Sequence, residues 1–488
     1  HEVTLLGLWG SDHIVIEPGA NVTEQSQWTR FRSDRYIFGA GWQTLFGDLG
    51  YGKLLLSTAS TGWHAALAAD SLFGDTLVRQ HSVEQSLTGR YDLTFRWHQN
   101  HETQAGFSLS RTPFNYDVWL WPDTIFYYLY DTAGIILDSF PLLDSLGRPV
   151  VRGFSSAGNF HGLKLAGYLQ HRLGIFNIAH LTIGLRSDHF TYTDHFYFSP
   201  RLGIVTNPLF AGFSLNLGYG IHYQPPQFYI LAYDSAANRR LHSRRSDHYI
   251  IGIERLFGSE AKLSVEGYYK RLSHLPIPKS WTTPDPYDLS GTYLDIGRGT
   301  AQGVELFLQK KFTHNWNATI AYSYSQSRIT NPRDTTRTVP GEFDYRHLLT
   351  TTATYRVPFH TYQWYQRLPG WFRATIGGVI FSDEADFGLR FRYAGGRPYT
   401  PMTWLPETRT WAENGDSIYA ARYPDYLRLD LRWSHKFLYR KWSLSWYLDI
   451  QNVLDRQNIW FYDYQSDGNI EPVYQLRFWP VAGMIIEF

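Results

Sequence analysis

The chain ends with the stretch PVYQLRFWPVAGMIIEF, residues 472–488, in which apolar or aromatic side chains recur at every second position. The register that carries them consists of Tyr474, Leu476, Phe478, Pro480, Ala482, Met484, Ile486 and Phe488. A period of two is the pattern of a β-strand with one apolar face. Chain termini are usually polar and frayed unless something holds them, so the stretch predicts a terminal strand that pairs within a sheet.

The same alternation runs through much of the chain. It is clearest in the segments 86–97, 387–393, 427–434 and 442–451. Two kinds of fold explain such segments. In a soluble sandwich the apolar face forms the core and the polar face meets water. In a membrane barrel the apolar face meets lipid and the polar face lines the lumen.

The composition narrows the classes of protein. The net charge of +1 provides no basic surface for nucleic acid, so we expect no nucleic-acid partner. Aromatic residues make up 17% of the chain, a high share of the side chains that collect at membrane–water interfaces. The mean hydropathy is −0.34, and no run approaches the ~18 apolar residues of a transmembrane helix. A membrane-spanning form therefore requires a β-barrel. Cysteine is absent, which excludes disulfides and thiolate metal sites.

The spacing of the alternating segments favours the barrel. We predict about 18 strands, at 2–10, 33–45, 50–61, 83–97, 102–115, 160–173, 178–191, 196–206, 212–224, 246–257, 261–273, 299–312, 315–328, 345–357, 384–395, 425–437, 442–456 and 472–488. The connections alternate between short and long, as in an antiparallel up-and-down transmembrane β-barrel. We therefore expect residues 1–488 to form one outer-membrane β-barrel domain.

Two connections depart from this alternation. The connection 192–195 is short where a long loop is expected, and 358–383 is long where a short turn is expected. The second either contains an extra strand pair at 371–381 or forms an amphipathic segment at the membrane surface.

Several stretches resemble parts of a known barrel. They are YFSPRLGIV (197–205), LGYGIHYQPPQ (217–227), GTAQGVELFLQKKF (299–312), GEFDYRHLLTTTATYR (341–356), GGRPYTP (395–401), YLRLDLRWSHKF (426–437) and YLDIQNVLDRQNI (447–459). Together with the terminal Phe488, their order and spacing resemble the barrel of TonB-dependent outer-membrane receptors.

The resemblance implies a bacterial outer-membrane protein with a periplasmic C-terminus, extracellular long loops, and contact with outer-membrane lipid and lipopolysaccharide. The family barrel has 22 strands around a plug domain, and the plug carries the segment that engages TonB. Residues 1–488 match neither the plug nor that segment. We therefore expect the chain to be the C-terminal part of a longer receptor that engages TonB only through its plug. The alternative is a smaller barrel without a plug.

Aromatic and apolar residues close to the end of the chain are candidates for the membrane girdle. They are Trp433, Trp442, Trp446, Phe478, Ile486 and Phe488. In outer-membrane barrels generally, a terminal aromatic residue is the mark that the insertion machinery reads, so we expect Phe488 to lie in the periplasmic girdle. A closing strand also needs a first strand as its partner. In a longer receptor, the segment beginning at Glu2 is not expected to be that strand.

The candidate ligand-binding residues are polar and aromatic side chains near the predicted long-loop ends of the last strands. They are Arg392, Arg397, Trp404, Trp411, Tyr426, Arg428, Asp449 and Gln451. The alternation of Arg428, Asp430 and Arg432 has a simpler explanation, a solvated and charge-paired lumen wall. The loop tryptophans Trp404 and Trp411 also have a simpler explanation, which is packing within the loop. We expect the long apolar loop 116–159 to fold over the barrel mouth or to bind a surface lipoprotein.

The sequence indicates neither an enzyme nor a cofactor or metal site. The lumen carboxylates Glu266, Glu305, Asp430 and Asp449 fall on separate strands, and the 19 histidines form no HExxH motif and no tight cluster with other ligand types. The leading hypothesis is import of a scarce nutrient, such as a siderophore, an oligosaccharide or a peptide. The alternatives are a non-transport platform for surface lipoproteins and a passive porin-like channel.

Overall fold

The alternating segments form one continuous antiparallel sheet. The structure is a computed structural model that describes residues 1–16, 28–68, 76–124, 126–130, 136–141, 151–282, 291–369, 382–406, 410–413, 417–465 and 467–488. Within these residues the main sheet has 19 strands, one of which, Thr338–Pro340, is short. The long strands are β1 (Glu2–Ile16), β2 (Trp28–Leu45), β3 (Gly50–Ala68), β4 (Thr76–His98), β5 (His101–Thr124), β6 (Val151–Ile175), β7 (Ala179–Phe190), β8 (His195–Thr206), β9 (Phe213–Gln224), β10 (Arg244–Phe257), β11 (Ala261–Pro278), β12 (Tyr293–Thr313), β13 (Trp316–Thr330), β14 (His347–Val357), β15 (Glu384–Ala394), β16 (Tyr426–Leu438), β17 (Ser443–Gln451) and β18 (Trp479–Glu487).

Each long strand pairs antiparallel with the next one along the chain, from β1–β2 to β17–β18. This up-and-down order confirms the predicted fold class, and each predicted strand has a counterpart in the sheet. Among the described residues, β1 pairs only with β2 and β18 only with β17. The pairing of the last strand with the segment beginning at Glu2 is therefore not observed.

The connections are sorted by length. One end of the sheet, here called the short-turn end, carries tight turns such as 99–100, 176–178 and 314–315. The opposite end, the long-loop end, carries the longer connections. Both predicted exceptions are present, at 191–194 between β7 and β8 and at 358–383 between β14 and β15. The terminal Phe488 follows β18 at the short-turn end.

Many strands extend further towards the long-loop end than predicted. β3 continues to Ala68, and β5 continues to Thr124. Backbone pairing does not require alternation. The part of β3 beyond the predicted strand, TGWHAALA (61–68), carries mostly small or apolar side chains in both registers, so a period of two does not reveal it. The expected loop 116–159 is therefore strand at both of its ends, and a hairpin of Phe126–Tyr130 with Ile136–Pro141 lies between them.

The two faces of the sheet differ in chemistry. Polar side chains of one face contact each other across strands, as Arg432 and Asp449 do on β16 and β17. The other face carries exposed apolar side chains, such as Ile251 on β10 at 56% and Met484 on β18 at 67% exposure. A continuous apolar face of this extent is typical of a lipid-facing surface.

The connections contain short local elements. The helices are Phe228–Tyr233, Lys279–Thr282 and Gln363–Gln366, and the 3-10 turns are Gly47–Leu49, Phe210–Gly212, Asn238–Arg240 and Phe359–Thr361. The loop strands pair as Pro398–Tyr399 with Ala421–Arg422, Met402–Leu405 with Thr410–Glu413, and Ile459–Tyr464 with Ile470–Tyr474. None of the helices in the described ranges is long and apolar enough to cross a membrane.

The connection 358–383 packs against the short-turn end. Its short helix buries Tyr365, and the Tyr365 hydroxyl donates to Asp383 Oδ1 at 3.2 Å. The second Asp383 oxygen accepts from the backbone N–H of Leu438 at 2.7 Å, which joins the connection to the end of β16. These contacts hold the described part of the connection against the end of β16, and an amphipathic segment at the membrane surface stays a prediction. The alternative strand pair at 371–381 lies outside the described residues.

The terminal strand begins later than predicted, at Trp479 rather than 472. Ile470–Tyr474 belongs to a loop hairpin, so Tyr474 does not continue the outer face of β18. Asp455 accepts hydrogen bonds from Arg477 and from the backbone N–H of Phe478, which ties the chain just before Trp479 to the loop. These polar contacts to the chain immediately before β18 explain why the pairing with β17 starts only at Trp479.

Candidate ligand-binding site at the long-loop end

Asp344 joins two connections at the long-loop end. It lies in the GEFDYRH stretch, and its side chain is fully buried. Its Oδ2 accepts from Arg346 Nε at 3.0 Å and from Arg422 Nη2 at 2.5 Å, and its Oδ1 accepts from the Ser327 backbone N–H at 2.6 Å. A buried carboxylate with this many donors is satisfied. It therefore holds the connection between β13 and β14 against the one between β15 and β16.

A small aromatic group lies above this junction. The ring of Tyr423 is 4.5 Å from that of Tyr399 and 5.1 Å from that of Tyr462, measured between centroids. The guanidinium of Arg397 lies 5.2 Å from the Tyr423 ring, within cation–π range. Arg397, Tyr423 and Tyr426 line one cavity of about 320 Å³. The structure thus brings the predicted residues Arg397 and Tyr426 to one concave surface.

The predicted loop tryptophans pack on each other. Trp404 and Trp411 have ring centroids 5.3 Å apart, and Trp411 is 4.9 Å from Tyr464 of the following loop. The indole Nε1 of Trp411 donates to the carbonyl of Gln465 at 2.8 Å. The contact between Trp404 and Trp411 is packing within the loop, which is the simpler explanation given above, and Trp411 packs in addition on the following loop.

Below the cavity, the inner face of β16 and β17 carries a ladder of polar contacts. Arg428 Nε donates to Asp430 Oδ1 at 2.5 Å, and its Nη2 donates to Gln451 Oε1 at 2.8 Å. Further along, Arg432 Nη1 lies 3.8 Å from Asp449 Oδ2. The predicted residues Arg428, Asp449 and Gln451 are therefore engaged with protein partners, as a charge-paired wall requires.

The predicted residue Arg392 lies on the neighbouring strand. In the β15–β16 register, Arg392 is the direct cross-strand partner of Arg428. Arg428 is paired with Asp430, and Arg392 adds a further positive charge beside that pair, which suits an anionic group on a ligand. The site can therefore hold an anionic or aromatic ligand near the cavity that Arg397 lines.

The predicted girdle residues divide between the two ends of the sheet. At the short-turn end, Phe488 is fully exposed, Ile486 is half exposed, and Trp442 stacks on Tyr439 with centroids 4.1 Å apart. Phe478 precedes β18 and is therefore at the long-loop end. Their exposure fits aromatic belts at both edges of an apolar band.

Trp433 and Trp446 have a different environment from the rest of that set. Both rings lie 4.7 Å from the ring of His435, which is only 1% exposed. The Ser382 hydroxyl lies 2.8 Å from His435 Nδ1, so the end of the connection 358–383 reaches this group. The alternating pattern could not predict that Ser382 covers His435, because Ser382 belongs to a segment remote along the chain.

Two sets of carboxylate and histidine side chains are brought together only by the fold. Glu266 and Glu305, predicted on separate strands, are direct cross-strand partners on β11 and β12. His242, His274 and Asp295 have ligand atoms within 4.8 Å of one another. The sequence contains no signal for this second group because its members come from three segments whose register is not visible locally.

Hydrogen bonds strongly lower the pKa of one loop carboxylate, that of Asp455. Asp455 lies in the connection between β17 and β18, outside the spanning strands. The hydrogen bonds from Arg477 and from the backbone of Phe478 stabilise its charged form, and they lower the pKa of Asp455 from 3.8 to about 2. A charged contact, between Asp455 and Arg477, thus holds the chain just before the last strand.

Comparison with known proteins agrees with this architecture. A family profile described as TonB dependent receptor-like, beta-barrel, matches residues 8–453. The ferripyoverdine receptor of the outer membrane of Pseudomonas aeruginosa, solved bound to ferripyoverdine, is 15% identical with a TM-score of 0.64, and the match covers 99% of this chain and 62% of that chain. The siderophore receptor PiuA from Acinetobacter baumannii is 13% identical with a TM-score of 0.64, covering 99% and 71%. The outer membrane transporter YddB from Escherichia coli is 13% identical with a TM-score of 0.62, covering 99% and 66%.

The chain spans under two thirds of the length of the ferripyoverdine receptor and of YddB. No curated protein sequence matches it. The structural matches, at these identities, concern the fold. The profile match covers most of the chain, and the residues it covers form the up-and-down sheet. This chain therefore belongs to the family of TonB-dependent receptor β-barrels of the outer membrane.

Proposed function

We propose that this barrel takes part in importing a scarce nutrient, such as a siderophore, an oligosaccharide or a peptide, across the outer membrane. The observation that carries the proposal is the position of Tyr426, which lines the cavity and lies two residues before Arg428 on the same face of β16. Arg428 in turn bonds to Gln451 in the polar inner wall. A ligand captured by the loops would have a polar path along that wall.

The proposal includes an orientation. The long-loop end would be extracellular, and the short turns and Phe488 would be periplasmic. Sorting of short turns to the periplasmic side is general for outer-membrane barrels. Outer-membrane lipid and lipopolysaccharide would contact the apolar face, and energy from TonB would arrive only through a plug segment.

Within the nutrient classes, an anionic siderophore fits the arginines best. Arg392 and Arg428 are cross-strand partners, and Arg397 lies over Tyr423 next to the cavity. One protein of the same fold is described as a siderophore receptor, and another was solved bound to ferripyoverdine, which supports this ranking. Arg428 already pairs with Asp430, but a neutral oligosaccharide would make little use of the positive charges of Arg392 and Arg397.

The test is uptake in cells that depend on this receptor. Labelled ferric catecholate, ferric hydroxamate and oligosaccharide would be supplied to cells with the native gene, an Arg392→Gln/Arg397→Gln variant, or an Arg186→Gln variant. Arg186 is a matched control because it forms an inner-face pair with Asp188 on β7.

We expect uptake of one ferric siderophore to fall at least about tenfold in the double variant, because each lost charge-assisted contact contributes about 1.5–3 kcal/mol. The Arg186→Gln variant should keep most of its uptake. Equal uptake by all three strains, or ion conductance by the full receptor in planar bilayers without any ligand, would instead favour a passive channel.

A second candidate, a platform for a surface lipoprotein, is favoured by one observation. The loop hairpin of Ile459–Tyr464 and Ile470–Tyr474 exposes Trp460 at 60% and Ile470 at 49%. Trp460 also lines the candidate ligand cavity, so the informative variant is Phe461→Ser/Ile470→Ser, which leaves that cavity intact. Loss of a co-purifying lipoprotein with ligand uptake retained would support this role.

A further inference from the structure

Three metal-ligand side chains converge at the long-loop end, well separated along the sequence. His242 precedes β10, His274 lies in β11, and Asp295 lies in β12. His242 Nδ1 is 2.6 Å from Asp295 Oδ2, and His274 Nδ1 is 3.9 Å from the same oxygen. One candidate ligand atom from each residue therefore lies within 4.8 Å of the other two.

The backbone holds this group in place. The backbone N–H of His242 donates to Asp295 Oδ2 at 3.0 Å. His274 has φ +57°, in the left-handed region that residues other than glycine rarely adopt, and the β11–β12 register shifts around it. Such a bulge re-aims a side chain and is common beside functional sites.

Two neighbouring rings restrict the His242 ring. The ring of His195 stacks on it with centroids 4.5 Å apart and an interplanar angle of 12°. On the other side, the His242 and His274 rings are 5.1 Å apart. Stacking limits rotation of the ring, so less side-chain freedom would be lost when its nitrogen binds an ion.

We propose that His242, His274 and Asp295 form a binding site for a divalent transition-metal ion of the Zn²⁺, Co²⁺ and Ni²⁺ type. Imidazole nitrogen combined with one carboxylate suits these ions, whereas Ca²⁺ and Mg²⁺ prefer oxygen ligands. The proposal concerns binding of the ion and does not rest on the proposed import function.

The two separations from Asp295 require only small adjustments, and the three ligand atoms start within 4.8 Å of one another. Ligand atoms at about 2.0–2.2 Å from a tetrahedral ion lie about 3.3–3.6 Å from each other. The His242–Asp295 separation of 2.6 Å would therefore open, and the His274–Asp295 separation of 3.9 Å would close slightly. Both shifts are within the reach of side-chain rotation.

Three protein ligands leave one tetrahedral position open. The three residues line a cavity of about 730 Å³ that is also lined by Arg271 and Arg298. These cationic side chains oppose any bare cation, and they favour an ion that is accompanied by an anionic group in the open position. The site is therefore suited to an ion that carries or acquires an anionic co-ligand.

The competing explanation is that His242 and Asp295 form only a hydrogen-bonded pair. It assigns no role to His274, whose nitrogen is too far from the Asp295 oxygen for a hydrogen bond. His274→Ala is therefore the most informative variant, and Asp295→Asn is the second.

The test measures binding of Co²⁺ and Zn²⁺ by the purified full receptor in detergent. Equilibrium dialysis gives the affinity, and the visible absorption of Co²⁺ reports its coordination. The native protein should bind one Co²⁺ with the absorption of a four-coordinate nitrogen–oxygen site, and Zn²⁺ should displace it. Loss of outer-shell partners already weakens metal binding about 10–100-fold, so His274→Ala and Asp295→Asn should each weaken binding by at least about 100-fold.

A matched control is His64→Gln/His81→Gln, which removes another close histidine pair, with Nδ1 atoms 2.7 Å apart. This variant should bind Co²⁺ like the native protein. Heat-modifiable migration on a gel would confirm that each variant is folded. Native Co²⁺ affinity in folded His274→Ala, or loss of the site in the control alone, would overturn the proposal.

Discussion

At the scale of single residues, polar side chains hold the long loops to the sheet. Asn452 is fully buried and has φ +50°, and its Nδ2 donates to the carbonyls of Arg456 and Leu476. Asn458 is bonded through its side chain to both the backbone N–H and the carbonyl of Leu427. The sequence resemblance pointed to the stretch that contains both asparagines. It could not predict Leu476 or Leu427 as partners, because both are remote along the chain.

Replacing Asp344 by Asn should destabilise the junction of the two loops. The change keeps the shape but leaves the positive charges of Arg346 and Arg422 without their buried partner. Breaking such a pair costs about 3 kcal/mol, and urea unfolding in detergent would measure it. Glu342→Gln in the same loop is the control, since Glu342 is exposed, and its effect should stay within about 0.5 kcal/mol. Equal effects of both changes would contradict this role.

The contact of Asp455 with Arg477 should weaken in acid. Because folding lowers the pKa of Asp455 from 3.8 to about 2, its contribution is present above about pH 4 and is lost as the pH falls towards 2. Hydrogen exchange of 452–478 should therefore accelerate between pH 4 and 2, after correction for intrinsic rates. Asp455→Asn should remove that additional acceleration, whereas Asp463→Asn should retain it.

At the scale of elements, inner-face glycines make room for large rings. Gly483 on β18 lies beside the ring of Tyr447 on β17, and the guanidinium of Arg432 lies 3.9 Å from the same ring. The alternation predicted which face Gly483 belongs to. It could not predict the ring opposite, because that depends on the register between two strands.

Gly483→Ala should destabilise the last strand, because its Cβ would overlap the Tyr447 ring. Overpacking of this kind costs about 1–3 kcal/mol, measurable as a lower urea midpoint. Gly203→Ala on β8 is the matched control, since its Cβ would meet only ordinary contacts at 3.8 Å or more. A control that is destabilised as much as Gly483→Ala would refute the steric explanation.

Glu305→Gln should stabilise the β11–β12 pair. Glu266 and Glu305 are direct cross-strand partners, and like charges in that position oppose pairing. The expected gain is about 0.2–1 kcal/mol. As a contrast, Glu254→Gln should not stabilise, because Glu254 is 2.6 Å from Lys262 Nζ. A loss of stability in Glu305→Gln would show that the pair is neutralised by another group.

At the scale of the whole molecule, the sheet combines an apolar outer face with a polar inner face. Exposed outer residues such as Ile183 at 56% and Ile251 at 56% belong to different strands of the same face. The backbone edges of β1 and β18 have no further strand partner among the described residues. In lipid such edges require backbone partners, because no water is available to bond them.

The purified protein should need detergent or lipid to remain dispersed, because its outer face exposes apolar side chains such as Ile183, Ile251 and Met484. In dodecyl sulfate, the unheated sample should migrate differently from the heated one, as folded barrels do. A monomer that is soluble without detergent and migrates identically before and after heating would contradict the barrel assignment.

By itself, the sequence determined the strands, the inner and outer faces and the sorting of short turns from long loops. These features follow from a period of two and from turn positions, which are local properties of the chain. Only the tertiary structure decided where the last strand begins, which loops Asp344 joins, and how His242, His274 and Asp295 meet. Those contacts depend on register and on strand ends that lie beyond the apolar pattern, so no local signal specifies them.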